Sequence, residues 1–488
     1  MIPLLQTART RTAGIEVLSA SPSGTLPLRY YIEVPSFYVE NFGCRATQAD
    51  GAAISRQFEE RGYSAIASPR NAEIVILNTC TVTAAADRDA RAAIRRVHRD
   101  NPHCQIVVTG CYAQRAPEEI AALPGVTRVV GNSHKHELAR LSVSAPSVRA
   151  IMSGKSAGFV PVELLAEPAV HVSDIFAHTE LVAAPVFDSA NERVRPNLKV
   201  QDGCNNRCSF CVIPSVRGRS RSLRLPEVLR EVNALCVAGY REVVISGINL
   251  GRWGRDFSAS DSGRAPRLVH LIRAILDHTP LEKLRISSVE PMDWTDELIS
   301  VMASSPRIAK HAHVPMQSGS DAVLRRMHRK YRPWHYRDRL EKIRSAAPAA
   351  AIGADVMVGF PGETDEEFEQ TRRAVDDLPL TYLHVFTYSA RPGTPAAQLA
   401  AQVPVETART RNRILRDLAS EKKHAFMKGF AGQQVEAITL NVCNEQGTEA
   451  LTDNYLKLCL KGSHKPNQWV RANVEGVESG QLVGALPQ

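Results

Sequence analysis

The sequence predicts an α/β chain built as three folded domains, and three observations carry that reading. At 488 residues it is too long for one core and suggests about three domains. Apolar β-rich runs alternate with helical patterns over residues 36–141 and again over 196–429, as parallel sheets with crossover helices require. From residue 430 the pattern changes to short β-branched runs broken by Gly and Asn, which reads as a small antiparallel barrel. Residues 1–35 read as a disordered extension, with no compact apolar core ahead of a cleavage site. Residues 142–195, rich in Pro, Ser and Ala, read as a linker.

In the first domain the strands are SFYVENF, EIVILNT, QIVVTG and GVTRVVG, with helices expected from Ala46 to Arg61, from after EIVILNT to about His98, and near Glu137. This is a small flavodoxin-like parallel sheet, whose functional groups belong on loops at the strand C-termini. Cys44, Cys80 and Cys111 each fall just after one of these strands, so one sheet edge would gather three thiols. In the second domain LKVQ, REVVIS, KLRISS, HAHVP, AIGADVMVG and YLHVFT alternate with helices, and a long helix from Val405 to about Lys428 follows. Six βα units predict a partial or complete parallel barrel with its active site at the strand C-termini.

The stretch KVQDGCNNRCSFCVIP holds Cys204, Cys208 and Cys211 as C-x3-C-x2-C. Three thiolates on one loop can hold three irons of a 4Fe–4S cube and leave the fourth iron open. An open iron can take the amino and carboxylate groups of S-adenosylmethionine and pass an electron to its sulfonium, which gives a deoxyadenosyl radical. A zinc loop is the competing reading, but zinc takes four ligands and no Cys or His follows at a suitable spacing. The triplet and its flank of Phe210, Val212 and Ile213 resemble the radical S-adenosylmethionine superfamily.

Taken singly, Cys44 in NFGCRATQAD, Cys80 in LNTCTVT and Cys111 in VTGCYAQ would each be a buried structural thiol. Together with the central triplet they resemble the methylthiotransferase family over residues 36–486. The resemblance implies a second 4Fe–4S cluster on Cys44, Cys80 and Cys111 that presents sulfur to a carbon radical. It also implies cofactor contacts from Ser246, Gly247 and Asn249 in SGINLG, Glu290 in SSVEP, Gln317 in HVPMQSGS, and Asp355 and Gly359 in GADVMVGFPGET. Cys104, at the other end of its strand, reads as structural.

The net charge of +9 points to a polyanionic partner. Basic runs lie beside both cysteine loops, with Arg219 and Arg221 past the central triplet, Arg325 and Arg329 in LRRMHRKYR, and Arg88 to Arg99 on the helix after Cys80. A solvated helix face is the plain alternative; an RNA backbone crossing the catalytic opening is the functional one. The C-terminal barrel resembles the TRAM domain, an OB-like RNA-binding module. NTCTVTAAADRDARAAIRR and SGINLGRWG are closest to the threonylcarbamoyladenosine branch of the family. The resemblance therefore implies two 4Fe–4S clusters, S-adenosylmethionine, and a methylthio group added at carbon 2 of that base in a tRNA anticodon loop. It further implies an electron donor such as flavodoxin or ferredoxin, and a cytoplasmic monomer. The isopentenyladenosine branch, or a non-catalytic iron–sulfur RNA-binding regulator, are the alternatives. No apolar run approaches the roughly 20 residues of a membrane span.

Overall fold

The computed structural model describes residues 15–17, 30–32, 34–142, 168–178, 181, 194–257, 266–445 and 447–487. Within the expected N-terminal extension, β1 (Ile15–Val17) and β2 (Tyr30–Ile32) pair antiparallel, so these six residues are not unstructured.

The first domain is a parallel sheet of β3 (Ser36–Asn41), β4 (Ser64–Ala65), β5 (Ile74–Thr79), β6 (Gln105–Gly110), β7 (Val126–Gly131) and β8 (Ala169–His171), in the order β4-β3-β5-β6-β7-β8. β8 corrects the reading of 142–195 as linker alone. Three residues of that stretch extend the sheet, with Val129 opposite Val170. β5 is buried along its whole length because helices cover both faces. α1 (Arg45–Glu59) buries Ile54 and Phe58 against one face, and α2 (Ala84–Asp100) buries Ile94 and Val97 against the other.

The second domain is a partial barrel. β9 (Asn197–Asp202), β10 (Arg221–Ser222), β11 (Glu242–Gly247) and β12 (Lys283–Ile286) form one sheet in the order β10-β9-β11-β12. β13 (His311–His313), β14 (Ala351–Val358) and β15 (Tyr382–Thr387) form the next. A parallel bridge, Leu284 with Ile308, joins the two sheets. Among the described residues no ladder closes β15 onto the first sheet, and that gap faces the first domain. The long helix Val405–Lys428 packs behind β15, close enough that a Cβ on Gly359 would lie 2.6 Å from Ala408 Cβ.

The third domain is a closed barrel of β16 (Gln434–Asn444), β17 (Gly447–Thr452), β18 (Lys457–Leu460), β19 (Trp469–Glu478) and β20 (Gln481–Ala485), in the order β16-β17-β18-β20-β19. It packs on the N-terminal ends of the catalytic strands. Arg285, buried in β12, donates to the carbonyls of Thr452 and Asp453 at 3.3 and 3.0 Å, and Asn454 donates to Ala349 O at 3.0 Å. Asn454 and Tyr455 therefore serve the seam between the two barrels, while Leu456 is buried in the third domain's own core. Among the described residues no helix is long and apolar enough to cross a membrane.

Candidate iron–sulfur centres

Strand register gathers the outer three thiols. Asn41 pairs with Asn78, and Thr79 pairs with Gly110, so the three adjacent strand ends stop nearly level. Cys80 directly follows β5, Cys111 opens the short helix after β6, and Cys44 is the N-cap of α1. Two glycines make the turns possible. Gly110 has φ +100°, where a Cβ would lie 2.2 Å from Thr79 O, and Gly43 has φ +105°, where a Cβ would lie 2.7 Å from Cys80 Cβ. Both conformations favour glycine. Burial pushes the Cys80 thiol up to about 11, and Cys111 and Cys44 add to the rise. Such thiols become thiolates when a metal supplies the compensating charge.

Polar side chains fix the loops. Asn78, wholly buried, donates to Asn41 Oδ1 at 2.9 Å and Thr47 O at 2.8 Å. Thr81 donates to Asp87 at 2.6 Å, and Asp87 also takes Arg115 at 3.0 Å and Arg391 of the catalytic domain. Asn132 donates to Val216 O at 2.7 Å and approaches Cys111 Sγ at 3.6 Å.

Between the domains lies a buried ion cluster that composition and pattern did not reveal. Asp50 takes Lys135 at 3.0 Å, Arg217 at 2.9 Å and Lys199, while Asp202 takes Lys199 at 2.8 Å and Arg217 at 3.0 Å. With Arg221 also 3.9 Å from Asp202, four cations face two carboxylates and leave a positive surplus, and Cys111 and Cys44 lie close enough to act on Arg217. A 4Fe–4S core of charge +2 held by three thiolates is a net anion, so the surplus positive charge complements such a group. A Lys inside the apolar strand LKVQD was the one available signal.

The central triplet sits in the loop after β9. Cys204 Sγ accepts from Asn206 N at 3.4 Å and approaches Asn249 Nδ2 at 3.5 Å, and Cys208 Sγ accepts from Arg329 Nη1 at 3.2 Å. Burial pushes Cys211 up to about 12, with Cys208 and Cys204 adding to the rise. Around this loop Ser246 Oγ, Asn249 Oδ1 and Gln317 Oε1 are buried without a hydrogen-bond partner at the strand C-termini, as polar groups awaiting a ligand would be. Glu290 lines the same cleft as Cys208 and is held by Arg329. Asp355 faces the barrel interior, 3.3 Å from His313 Nε2.

Two glycines serve packing, and two arginines depart from their expected role. Gly247 lets the backbone approach Gln201, where a Cβ would lie 2.9 Å from Gln201 Cβ, and Gly359 makes room for Ala408, so both glycines have a packing role here. Arg221 is buried, donating to Arg217 O at 2.9 Å, and Arg329 is spent on Glu290 and Cys208, so neither side chain meets an RNA backbone. Arg219 is exposed. Arg325 is exposed and paired with Asp321 at 2.8 Å. On α2, Arg91, Arg96 and Arg99 are paired with Glu119, Glu40 and Asp100. Cys104 donates to Asn101 O at 3.1 Å at the far end of β6 from Cys111.

Comparison with known proteins agrees with this architecture. Residues 36–131 match the model of Uncharacterized protein family UPF0004, and residues 198–375 match that of the Radical SAM superfamily. The threonylcarbamoyladenosine tRNA methylthiotransferase MtaB of Bacillus subtilis is 37% identical, over 86% of this chain and 89% of its own. Its counterpart in Aquifex aeolicus is 34% identical, over 88% and 98%. A tRNA-2-methylthio-N(6)-dimethylallyladenosine synthase of Corynebacterium diphtheriae is 35% identical, over 83% and 75%. Among solved structures, the radical S-adenosylmethionine methyltransferase TsrM of Kitasatospora setae superposes with a TM-score of 0.51 at 16% identity, over 75% of each chain, which speaks for the fold. The fold and site are those of a radical S-adenosylmethionine methylthiotransferase. Within that class, the chain belongs to the family of threonylcarbamoyladenosine tRNA methylthiotransferases.

Proposed function

We propose that this enzyme adds a methylthio group to carbon 2 of threonylcarbamoyladenosine beside the anticodon of tRNA, using two 4Fe–4S clusters and S-adenosylmethionine. The observation that carries the reading is the pair of three-thiol sites, one on each domain, joined across the seam by the Asp50–Arg217 ion cluster. Cys204, Cys208 and Cys211 would hold one cube with an open iron, and Cys44, Cys80 and Cys111 the other. When bound, these groups supply the hydrogen-abstracting radical and the sulfur.

The protein's own part is position and charge. Arg329 and Asn249 donate toward the thiolates of the central triplet, which lowers the charge presented to the cleft. Ser246, Asn249 and Gln317 offer the cofactor unpartnered polar atoms, and Glu290, fixed by Arg329, fits a ribose hydroxyl. Asn132 and Asp87 tie the outer triplet to the catalytic domain, so the two sites keep one spacing. The open seam beside β15 admits a splayed base. A cytoplasmic monomer drawing electrons from a flavodoxin or ferredoxin completes the proposal.

The test is nucleoside mass spectrometry after incubating reconstituted enzyme with tRNA carrying either base. Product on threonylcarbamoyladenosine supports the reading; product on isopentenyladenosine alone overturns the substrate while leaving the fold unaffected.

A further inference from the structure

We infer that Arg45 is the substrate-specificity residue, receiving the carboxylate on the arm that the adenine carries at N6; this rests on the substrate reading above. Arg45 follows Cys44 directly as the first residue of α1, and it is exposed. Its guanidinium crosses the open seam of the barrel to the third domain, where Nη2 donates to Tyr455 Oη at 3.4 Å. Among the described residues no carboxylate pairs with it. Its charge also reaches inward: behind burial and nearer cations, it contributes to holding His311 and His384 below the usual histidine range.

The side chains inside the barrel near Arg45 come from three strands. Pairing Gly353 with Tyr382 and Asp355 with His384 turns these side chains into the barrel, and the Tyr382 ring fills the space over Gly353, where a Cβ would lie 2.0 Å from it. Tyr382, His311 and Tyr455 form an aromatic floor, with centroids 5.9 and 6.0 Å from Tyr382. Tyr455 holds φ +70°, a conformation rare for an aromatic residue and characteristic of sites where the surroundings fix a side chain for use. His313, Asp355 and His384 form a polar wall above the floor, their ligand atoms within 4.8 Å of one another.

Chemistry selects Arg45 from the cations near the outer triplet. In adenine only N1 separates carbon 2 from the carbon bearing N6, so carbon 2 and the N6 arm leave from one edge of the base, and the flexible arm can bring its end near the outer thiols. A guanidinium suited to the end of that arm lies near the outer triplet, faces the barrel interior and has no carboxylate partner among the described residues. Arg217 is held by Asp50 and Asp202, Arg115 and Arg391 by Asp87, Arg285 and Arg195 by Glu242. Arg45 meets all three conditions, and its long bond to a neutral hydroxyl is easily exchanged for a charge-assisted one. The arm's hydroxyl and amide groups suit the His384 and Asp355 wall, whereas a hydrocarbon arm would leave these polar groups without partners.

The experiment measures binding of reconstituted full-length enzyme to three anticodon stem–loops, bearing the carboxylate arm, the same arm as a carboxamide, or unmodified adenosine. Wild type should prefer the carboxylate over the carboxamide by about 10- to 100-fold, the range of one charge-assisted hydrogen bond. Arg45→Gln should bring that ratio near one, and Arg45→Lys should keep part of it. Wild type that does not distinguish the first two RNAs overturns the inference whatever the variants do. So does Arg45→Gln that weakens all three RNAs equally, which marks a phosphate contact. If wild type methylthiolates only isopentenylated tRNA, the substrate reading falls and this inference with it. If it methylthiolates the carboxylate-bearing tRNA while Arg45→Gln keeps the ratio, only the assignment of Arg45 falls.

Discussion

Arg217 of the catalytic domain donates to Asp50 of α1 across 2.9 Å, with both side chains almost wholly buried. The pair joins the two cysteine-bearing domains through charge, and removing one partner leaves the other without compensation. Asp50→Asn should therefore cost about 3–5 kcal/mol of stability, the range for a broken buried ion pair, read by urea unfolding of the cluster-free protein. Burial alone would raise the Asp50 carboxyl, but Arg217, Lys135 and Lys199 outweigh it and hold it at about 2, below the ordinary value of 3.8. A lowered folded value means the stabilisation is complete above the unfolded value, near pH 4, and is lost as pH falls toward 2. The gap between wild type and Asp50→Asn should be full at pH 7 and shrink through that window. A gap independent of pH would contradict the charge argument.

Each triplet should hold its iron independently. Reconstituted protein should contain about eight irons, and replacing Cys44, Cys80 and Cys111 by Ala should leave about four. That variant should still cleave S-adenosylmethionine reductively while transferring no sulfur. Replacing Cys204, Cys208 and Cys211 should abolish the cleavage. Iron analysis and deoxyadenosine release check both, and full methylthiolation by the first variant would return those cysteines to structural thiols.

The outer site should be sensitive to one methyl group. In Gly43→Ala the new Cβ would lie 2.7 Å from Cys80 Cβ on a backbone of φ +105°, so the turn or the cysteine must move. We expect this variant to lose outer iron, down to about four per chain, with central iron retained. An unchanged count of about eight would show that the loop absorbs the methyl group.

The strand-end cysteines were legible because apolar runs such as EIVILNT mark where a parallel strand stops, and parallel strands side by side bring those ends together. Asp50 was not legible, since a lone acid in a helix resembles a solvated face until Lys135, Lys199 and Arg217 arrive from three other segments. β8 was missed because three residues, AVH, carry too little pattern to mark a strand. Arg221 and Arg329 looked like a surface for RNA because sequence shows charge but not the buried acid opposite it.

The third domain should support the catalytic barrel as well as bind tRNA. Deleting residues 430–488 would bare Arg285 and the aromatic floor at His311 and Tyr382, and would remove the carbonyls of Thr452 and Asp453 that Arg285 uses. We expect the truncated enzyme to unfold at a lower denaturant concentration as well as to bind tRNA less tightly. Loss of tRNA affinity with unchanged unfolding would make the domain an independent RNA module.

The two arginines past the central triplet should part company under salt. Arg219 is exposed, so Arg219→Gln should reduce the slope of log affinity against log salt for tRNA by about one, as loss of one phosphate contact requires. Arg221 is buried, donates to Arg217 O at 2.9 Å and lies 3.9 Å from Asp202, so Arg221→Gln should lower stability and leave the slope as it was. The two measurements, tRNA binding across a salt series and urea unfolding, separate the roles. An altered slope for Arg221→Gln in a fully folded protein would mean that the seam opens when tRNA binds.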